Sequence, residues 1–293
     1  MNELLHKFKL GNDAELLLEK PGGGYEKVAT VPIGSQALGV RQSAQGVVVY
    51  GPDGKPTSFT ADLRTPNSLY GTTARIDLGS ITIPPEVCLP GAYIKGWAMF
   101  SGSKDALSKT HLVSVNEAGG GMYGATDIFN AALTTTNYSG NRVEFYLRIL
   151  NEDTIVGGTY GSGSGLGATG SAVTTNPIIV PVNTRGGGLD IAFGGNVAAA
   201  PTAAVDVSNA SPAVVTHTSH GKFAGQIVSF AAAPAGLTSA RPYFVSRVID
   251  ANGYAISETK GGPEVGTTAS ATGITATYYT VLTLEDAHIE VSL

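Results

Sequence analysis

The sequence predicts an all-β protein whose main body is an antiparallel sandwich. Charged residues make up only 14% of the chain, against roughly 25% in an average soluble domain. Glycine is abundant, with 39 residues in a chain of 293. Short apolar runs alternate with Gly-, Ser- and Asn-rich turns, at the spacing of sandwich strands rather than of strand–helix–strand units. A chain of this length can bury one large β-domain or two smaller ones.

The first 27 residues predict a short amphipathic helix. Leu4, Leu5 and Phe8 lie at positions i, i+1 and i+4, which share one side of a two-turn helix, and the pattern ends at Gly11. A helix this short is marginal alone and needs a surface to lie on. Two interpretations stay open: a frayed terminus, or an assembly anchor that docks through these three apolar residues.

The segment that follows is interpreted as an arm or linker. VATVPI (28–33) and VVVY (47–50) are predicted strands. GPDGKP (51–56) is a predicted turn, because Pro presets φ and Asp-Gly supplies a position with positive φ. Since the remainder is extended and punctuated by prolines, residues 1–71 are assigned to an N-terminal anchor arm and linker.

From residue 72 onward the strand pattern becomes clearer. In RVEFYLRIL, apolar residues alternate with Arg, Glu, Tyr and Arg, which indicates a sheet that is packed on one face and solvated on the other. The predicted strands are RIDLGSITIPP (75–85), AYIKGWAMF (92–100), HLVSV (111–115), TDIFNAAL (126–133) and RVEFYLRIL (142–150).

The final segment, VLTLEDAHIEVSL, predicts a strand with a β-bulge. Leu282 and Leu284 have one parity, whereas the apolar residues from Ala287 to Val291 have the other. All of them can face one core only if the chain slips by one residue at 285–286.

Residues 196–277 differ in composition from the rest and resemble a known module. The successive segments SPAVVTHTSHG, GQIVSF, AGLTSARPYFV and ANGYAISET are followed by a Gly/Thr/Ala-rich strand. In this order and spacing they resemble a small β-module of tailed-phage virion proteins, labelled FCCH-like after a domain of ubiquitin-activating enzymes. The resemblance implies a separate small β-domain.

The flanking segments look like the strands of a phage jelly-roll. The matching stretches are RIDLGSITIPPEVCLPGAYIKGWAMFSG, KTHLVSV, RVEFYLRIL, GLDIAFGG and TLEDAHIEVSL. In that family the last two strands are close in sequence, whereas here the module stands between them. Such an insertion is tolerated because the free energy of loop closure grows only logarithmically with length. The resemblance implies a jelly-roll-like sandwich from residues 72–195 plus 278–293.

These resemblances imply a virion structural protein of a tailed bacteriophage, made in the bacterial cytoplasm. Proteins of this kind usually form homotrimers, and the arm would bind other virion proteins. Two functions are consistent with the sequence: a tail-fibre or receptor-binding component that touches a host-surface glycan or protein, or a capsid decoration or head-fibre protein. The first is favoured because an outward insert adds surface that is useful for adhesion.

Two histidines three residues apart, His217 and His220, raise the question of a metal site. A strand places such residues on opposite faces, so they cannot chelate one ion. His220-Gly221 also stands where the resembled module has a His-Gly turn. We expect structural roles, with no metal and no cofactor. The single cysteine, Cys88, excludes an internal disulfide and a cysteine-based zinc cluster.

No catalytic residues are predicted, and the chain is not expected to be an enzyme. GLGATG (165–170) resembles a dinucleotide-binding motif but opens no helix. The acidic pairs 152–153 and 285–286 are adjacent on the chain, so their side chains diverge on a strand. A glycoside hydrolase would instead need two acids that face each other from separate strands across a groove, and this alternative stays open.

Trp97 lies within AYIKGWAMF, where two environments are conceivable. The interpretation favoured by the sequence is a core position. An exposed indole that stacks on a sugar is the alternative.

Charge and hydropathy argue against two classes of partner. The net charge is −5 and the pI is near 5.5, which offers no basic surface for nucleic acid. No apolar run reaches the ~18 residues that a membrane-spanning helix needs. The N-terminus has charges among its apolar residues and does not fit a secretory signal.

Overall fold

A computed structural model of the chain confirms the all-β prediction, since strands make up 58% of it and helix 1%. The antiparallel sheets form a sandwich-like arrangement. The residues that the structure describes are 5–10, 13–19, 25–32, 39–42, 46–122, 124–134, 140–151, 153–163, 174–181 and 187–293.

The strands are numbered in chain order, and a 3₁₀ turn over Pro85–Val87 follows the eighth. The first eleven are β1 (Leu5–Leu10), β2 (Asp13–Glu19), β3 (Tyr25–Pro32), β4 (Gly39–Gln42), β5 (Gly46–Tyr50), β6 (Pro56–Leu63), β7 (Asn67–Tyr70), β8 (Ile76–Ile83), β9 (Tyr93–Gly102), β10 (Lys109–Glu117) and β11 (Thr126–Leu133). The others are β12 (Asn141–Asn151), β13 (Thr154–Gly163), β14 (Thr174–Pro181), β15 (Leu189–Val197), β16 (Thr202–Val207), β17 (Val214–Thr216), β18 (Ile227–Phe230), β19 (Tyr243–Val248), β20 (Gly253–Ser257), β21 (Ala271–Tyr279) and β22 (Val281–Ser292).

One layer of the sandwich is a large antiparallel sheet with the order β14-β13-β12-β9-β22-β6-β5-β4, and β7 also pairs with β22. Residues of β12 alternate between buried and exposed along the strand. This confirms the predicted alternation, because successive side chains of a strand point to opposite faces.

The other layer is a small sheet with the order β11-β10-β15-β8. Apolar side chains from both sheets meet in one core. Phe145 of the large sheet and Phe193 of the small sheet, for example, have ring centroids 6.3 Å apart. Each such buried side chain contributes about 1.5–3 kcal/mol to folding, so this shared core is the main source of stability for the sandwich.

The last strand, β22, contains the predicted bulge. Its pairing with β9 shifts register between Leu284 and Asp286. The shift keeps Leu282 and Leu284 buried on one side of the bulge and Ile289 and Val291 buried on the other. Because of the bulge, apolar residues at even positions before it and at odd positions after it all face the same core.

Residues 46–70 belong to the sandwich, which corrects the sequence interpretation of residues 1–71 as an arm and linker. Strands β5, β6 and β7 pair within the large sheet. Phe59 is fully buried, and Leu69 is 4% exposed. Within residues 46–70, Pro52 and Pro66 lie between strands and Pro56 is the first residue of β6. A proline costs no ladder hydrogen bond at such positions, so these three do not exclude sheet strands.

Strands β16 to β21 form a separate closed barrel with the order β16-β17-β20-β19-β18-β21. The barrel has its own apolar core, which includes Tyr243, Tyr254 and Tyr278. Its first and last strands pair with each other, and Thr202 lies opposite Thr277. The chain therefore enters and leaves the barrel at neighbouring points, between β15 of the small sheet and β22 of the large sheet.

The exit from the barrel is held to the sandwich by side chains. The ring of Tyr279 packs edge-on against Tyr70, with centroids 5.5 Å apart. The hydroxyl of Thr280 donates a hydrogen bond to the Asp105 carboxylate at 3.1 Å, and the Val281 amide donates to the Ser103 hydroxyl at 2.9 Å. These contacts fasten the last turn before β22.

The predicted N-terminal helix is wrong. Leu5 and Phe8 lie in β1, which pairs with β2, and β2 pairs with β3. Leu10 pairs with Asp13, and the sequence between these two residues is Gly-Asn, a pair of residues that favours a hairpin. Leu4 and the side-chain contacts of the other two residues lie outside the described part of the chain, and the anchor role stays a prediction.

Candidate functional site

An open groove of about 840 Å³ lies on the outer face of the small sheet. Its floor is formed by β8 and β15. On β8, Ser80 and Thr82 line the groove, whereas Ile81 and Ile83 point into the core. The glycine-rich connection between β10 and β11 forms the wall.

A β-bulge in β8 orients the acidic residue at one end of this floor. The pairing of β8 with β15 shifts register so that Gly79 lies opposite Phe193 and Asp77 opposite Gly194. The intervening Leu78 stays in the core, 4% exposed. Because of the bulge, Asp77 lies among the groove-lining residues.

Asp190 of β15 holds the glycine-rich wall against the sheet. Its Oδ1 accepts a hydrogen bond from the Thr82 hydroxyl at 2.7 Å. Its Oδ2 accepts from the amides of Gly119 at 2.7 Å and Gly121 at 3.2 Å. Both glycines have positive φ, 86° and 51°, which other residues adopt at a cost. Asp190 is only 3% exposed, so its carboxylate is committed to the wall.

The Asp77 carboxyl is the more open of the two acids. It accepts hydrogen bonds from the backbone amides of Gly79, at 2.9 Å, and of Met122. Partial desolvation raises the pKa of Asp77, and the nearby charge of Asp190 raises it further. The Asp77 residue itself remains exposed, which leaves its carboxyl accessible from solvent.

Gly121 lies between the two acids and defines their spacing. The Oδ2 of Asp77 is 2.8 Å from the position that a Cβ on Gly121 would take, so a larger residue would collide with the carboxyl. Because the Gly121 amide also bonds Asp190 at 3.2 Å, the two carboxyl oxygens are within about 8.5 Å of each other.

Arg75 supplies a positive charge at the groove. Its Nη2 lies 2.5 Å from Oδ1 of Asp127 and donates to the Ser114 hydroxyl at 2.6 Å. Ser114 in turn donates to Asp127 at 2.8 Å. The guanidinium is 31% exposed, so it is positioned by this cluster and still reaches solvent.

The two acids of the groove differ in how open they are to solvent. Asp77 and Asp190 do meet across one groove from separate strands, as the hydrolase alternative requires. However, both oxygens of Asp190 are bonded within the protein, and the residue is buried. A glycosidase needs a second carboxyl that can reach water or the sugar, and Asp190 is sealed from both.

The two histidines singled out in the sequence have structural contacts. β17 ends at Thr216, and the turn after it brings the rings of His217 and His220 to 6.3 Å, so the strand argument about opposite faces does not apply. His220 Nδ1 accepts from the Lys222 amide at 2.8 Å, and Nε2 lies 3.0 Å from the Asp250 carbonyl. His220 therefore fixes the turn.

His217 lies 2.9 Å from the Tyr278 hydroxyl, and burial lowers its pKa. Among the described residues, no group of three or more His, Cys, Asp or Glu is placed to hold a metal ion. Within the same part of the chain, no helix is long and apolar enough to span a membrane.

Trp97 lies on the outer face of the large sheet, which corrects the expectation of a core position. Along β9 it has the opposite parity to Ile94, Ala98 and Phe100, which are fully buried and face the core. The Arg142 guanidinium lies 4.9 Å from the centroid of the indole, and the His288 ring stacks on it at 6.1 Å. The indole is thus flanked by two side chains, and sequence parity could have placed it on this face.

Of the remaining patterns from the sequence, Asp153 and the pair 285–286 are not among the residues that line the groove. GLGATG (165–170) and Glu152 lie outside the described residues. Glu285 and Asp286 form the bulge of β22, and Glu285 accepts a hydrogen bond from Ser101. Sequence reasoning missed Asp77 and Asp190, although the run of glycines at 119–121 was a usable signal for a special backbone conformation.

Comparison with known proteins identifies no family. No family model and no curated protein matches the chain. Among solved structures, the chain is similar to a structure of the infectious bursal disease virus Gx strain, with 12% identity and a TM-score of 0.22, over 96% of this chain and 50% of that one.

It is also similar to the VP2 subviral particle of infectious bursal disease virus, with 11% identity and a TM-score of 0.18, over 96% of this chain and 51% of that one. The chain spans about half the length of these two chains.

Proposed function

We propose that the chain is a non-enzymatic structural protein of a tailed-phage virion, displayed on the particle surface as a tail-fibre or receptor-binding component. In this proposal the N-terminal segment binds other virion proteins, the sandwich forms the body, and the barrel faces the host. The protein assembles as a homotrimer. The resemblance of residues 196–277 to a phage virion module and of the flanking strands to a phage jelly-roll supports the assignment.

The observation that carries the proposal is the placement of the barrel. It is inserted between two strands of the body, and its entry and exit strands pair with each other. None of the described barrel strands pairs with a strand of the sandwich, and the barrel has a core of its own. A closed module on a narrow attachment adds surface to a particle without altering its body, which suits contact with a host.

A second candidate function, capsid decoration, is favoured by one surface. The outer face of the large sheet exposes Tyr93 (42%), Tyr146 (52%) and Leu150 (47%). Aromatic residues such as Tyr are enriched where proteins meet. A decoration protein would use this flat face against the shell or against neighbouring copies, with the barrel as an appendage.

Competition for host cells separates the two functions. Purified full-length chain is added to host cells before the phage that carries it, and the adsorption rate is measured. A receptor-binding component lowers the adsorption rate in a concentration-dependent way. If saturating protein binds no cells and leaves adsorption unchanged, the adhesion proposal fails and decoration is the function that remains.

The anchor is tested by substitution within β1. Replacing Leu5 and Phe8 with serine removes two apolar side chains, and we expect reduced copy number on purified particles. The matched control replaces Lys7 and Lys9 on the same strand with serine and should leave occupancy unchanged. Equal occupancy of both variants, measured by quantitative mass spectrometry, would show that the anchor lies elsewhere.

A further inference from the structure

We propose that the groove on the outer face of the small sheet binds a neutral saccharide of the bacterial surface. This inference rests on the proposed adhesion function and deepens it, because it names the ligand class and the binding residues. It places a saccharide site on the body of the protein, beside the wall formed by residues 118–122 and 124–125, in addition to the contact that the barrel makes with the host.

The polar lining matches the alternating donors and acceptors of sugar hydroxyls. Asp77 offers a solvent-accessible carboxyl as an acceptor, and Arg75 offers guanidinium donors from the other side of its ion pair. Ser80 of β8 lines the groove floor, and its hydroxyl can both donate and accept. Planar carboxyl and guanidinium groups that are held in place can bond two neighbouring hydroxyls at once.

The groove also has apolar surface, which a sugar ring needs for its C–H face. Met122 belongs to a small apolar cluster with Leu112 and Ala192 on this side of the sheet. Ala74 and Ala125 line the groove beside it. A groove with a few directed polar groups and apolar patches, in the size range of 300–1,000 Å³, is the usual form of a small-ligand site.

The positions of the acids argue against a cation as the ligand. Calcium takes six to eight oxygen ligands, and carboxylates usually supply several of them. Here Asp190 is committed to the wall, and Asp127 is paired with Arg75. Of these three acids, Asp77 remains open. One open carboxyl can accept hydrogen bonds from a neutral ligand but cannot build a coordination shell.

Rigidity of the wall supports a preformed site. Two amides of the wall bond Asp190, and the Asn116 side chain donates to the Gly121 carbonyl at 3.2 Å. Asp77 accepts from the Met122 amide. A wall held at several points costs little conformational entropy when a ligand binds.

In the first experiment, the full-length chain is applied to an array of oligosaccharides from bacterial lipopolysaccharides and capsules to find one that it binds. Calorimetric titration of the chain with that oligosaccharide then measures the dissociation constant. Asp77→Asn replaces one of the two acceptor oxygens with an NH₂ donor and removes the negative charge, and Ser80→Ala removes a hydroxyl. Each should weaken binding about tenfold or more, because a hydrogen bond to a ligand is lost or reversed. The matched control, Asp153→Asn in the turn between β12 and β13, should bind as the unchanged protein does.

Several outcomes would overturn the inference. If neither groove variant affects binding, the saccharide binds elsewhere on the protein. If the chain binds no oligosaccharide on the array, the ligand is not a saccharide of this kind. Saturable calcium binding that Asp77→Asn abolishes would replace the saccharide with a cation. If the chain still competes with the phage for host cells in any of these cases, the adhesion function stands without the groove. Loss of that competition as well would show that the adhesion proposal itself has failed.

Discussion

Lys109 is a fully buried ammonium group, and its surroundings explain why the chain tolerates it. The Nζ atom donates to the backbone carbonyls of Asp105 at 2.7 Å and Leu107 at 3.0 Å, and to the Asp105 carboxylate at 3.1 Å. A buried charge is costly unless it is paired and hydrogen-bonded. The same carboxylate accepts from Thr280, so one residue stabilises both the buried charge and the exit from the barrel.

Replacing Asp105 with alanine should lower the free energy of unfolding by about 3–5 kcal/mol, because the ammonium group loses its counter-charge in a buried place. The measurement is urea denaturation at neutral pH. The control is Asp53→Ala, which removes an exposed partner of Lys55 at 3.8 Å and should change stability by about 0–1 kcal/mol. Similar values for both variants would contradict the argument.

His111 is a second buried polar residue, and it introduces a pH dependence. It faces the Phe100 ring, with centroids 5.0 Å apart, and its Nδ1 lies 3.3 Å from the Ala131 carbonyl. Desolvation by burial lowers the pKa of His111 from 6.5 to about 4, and the nearby Lys109 lowers it as well.

Since the unfolded chain takes up this proton near pH 6.5 and the folded chain only near pH 4, the unfolded state binds more protons between those values. Stability should therefore be full above pH 6.5 and fall as the pH is lowered toward 4. His111→Leu should show a shallower decline of the unfolding free energy between pH 7 and 5, where most carboxyl groups stay ionised. Parallel pH profiles for the two proteins would be inconsistent with a neutral buried His111.

At the scale of the elements, the bulge in β22 determines which side chains reach the core. Glu285 is the extra residue of the bulge, because Leu284 pairs with Phe100 and Asp286 with Met99. Deleting Glu285 gives continuous pairing with β9 and keeps Leu282, Leu284 and the apolar residues after them on the core face. Because no apolar side chain loses its burial, we expect the deletion variant to fold, with a free energy of unfolding within about 1 kcal/mol of that of the substituted control below.

The control for this deletion is Glu285→Ala, which keeps the chain length and removes only the hydrogen bond with Ser101. It should cost about 1 kcal/mol. Chemical denaturation followed by circular dichroism compares the two. A deletion variant that is less stable than the substitution by about 3 kcal/mol or more would mean that apolar side chains leave the core when the extra residue is removed.

At the scale of the whole molecule, the two separate cores predict separate responses to core mutations. Ile256 is fully buried in the barrel, and Ile81 is fully buried in the sandwich. Replacing either with alanine should cost about 2–5 kcal/mol in its own unit. Trp97, the single tryptophan, lies on the sandwich, so its fluorescence reports on that unit alone.

We therefore expect Ile256→Ala to lower the midpoint of unfolding measured by far-ultraviolet circular dichroism and to leave the fluorescence transition in place. Ile81→Ala should shift the fluorescence transition. If Ile256→Ala moved both signals equally, the barrel and the sandwich would unfold as one cooperative unit.

Prediction from the sequence succeeded where the pattern is local. The alternation in β12 and the parity change in β22 are visible within a dozen residues, because each strand alternates its side chains with a period of two. The N-terminal helix failed because Leu4, Leu5 and Phe8 suit a helix turn about as well as a hairpin strand, and the pairing of β1 with β2 decides between the two.

The groove could not be predicted in the same way. Asp77, Asp190 and the glycine-rich wall are far apart in the chain, and a bulge in β8 determines which face Asp77 takes. Trp97 could have been placed by parity, but its flanking by Arg142 and His288 depends on which strands neighbour β9.

The sequence by itself determined the strand content, the turns and the need for a bulge in the last strand, since all three follow from side-chain periodicity and backbone preferences within short segments. Only the tertiary structure decided that residues 46–70 belong to the body and that Asp77 and Asp190 share a groove. Both depend on which strands pair across long stretches of chain, and that choice is made by the burial of the whole core rather than by any local pattern.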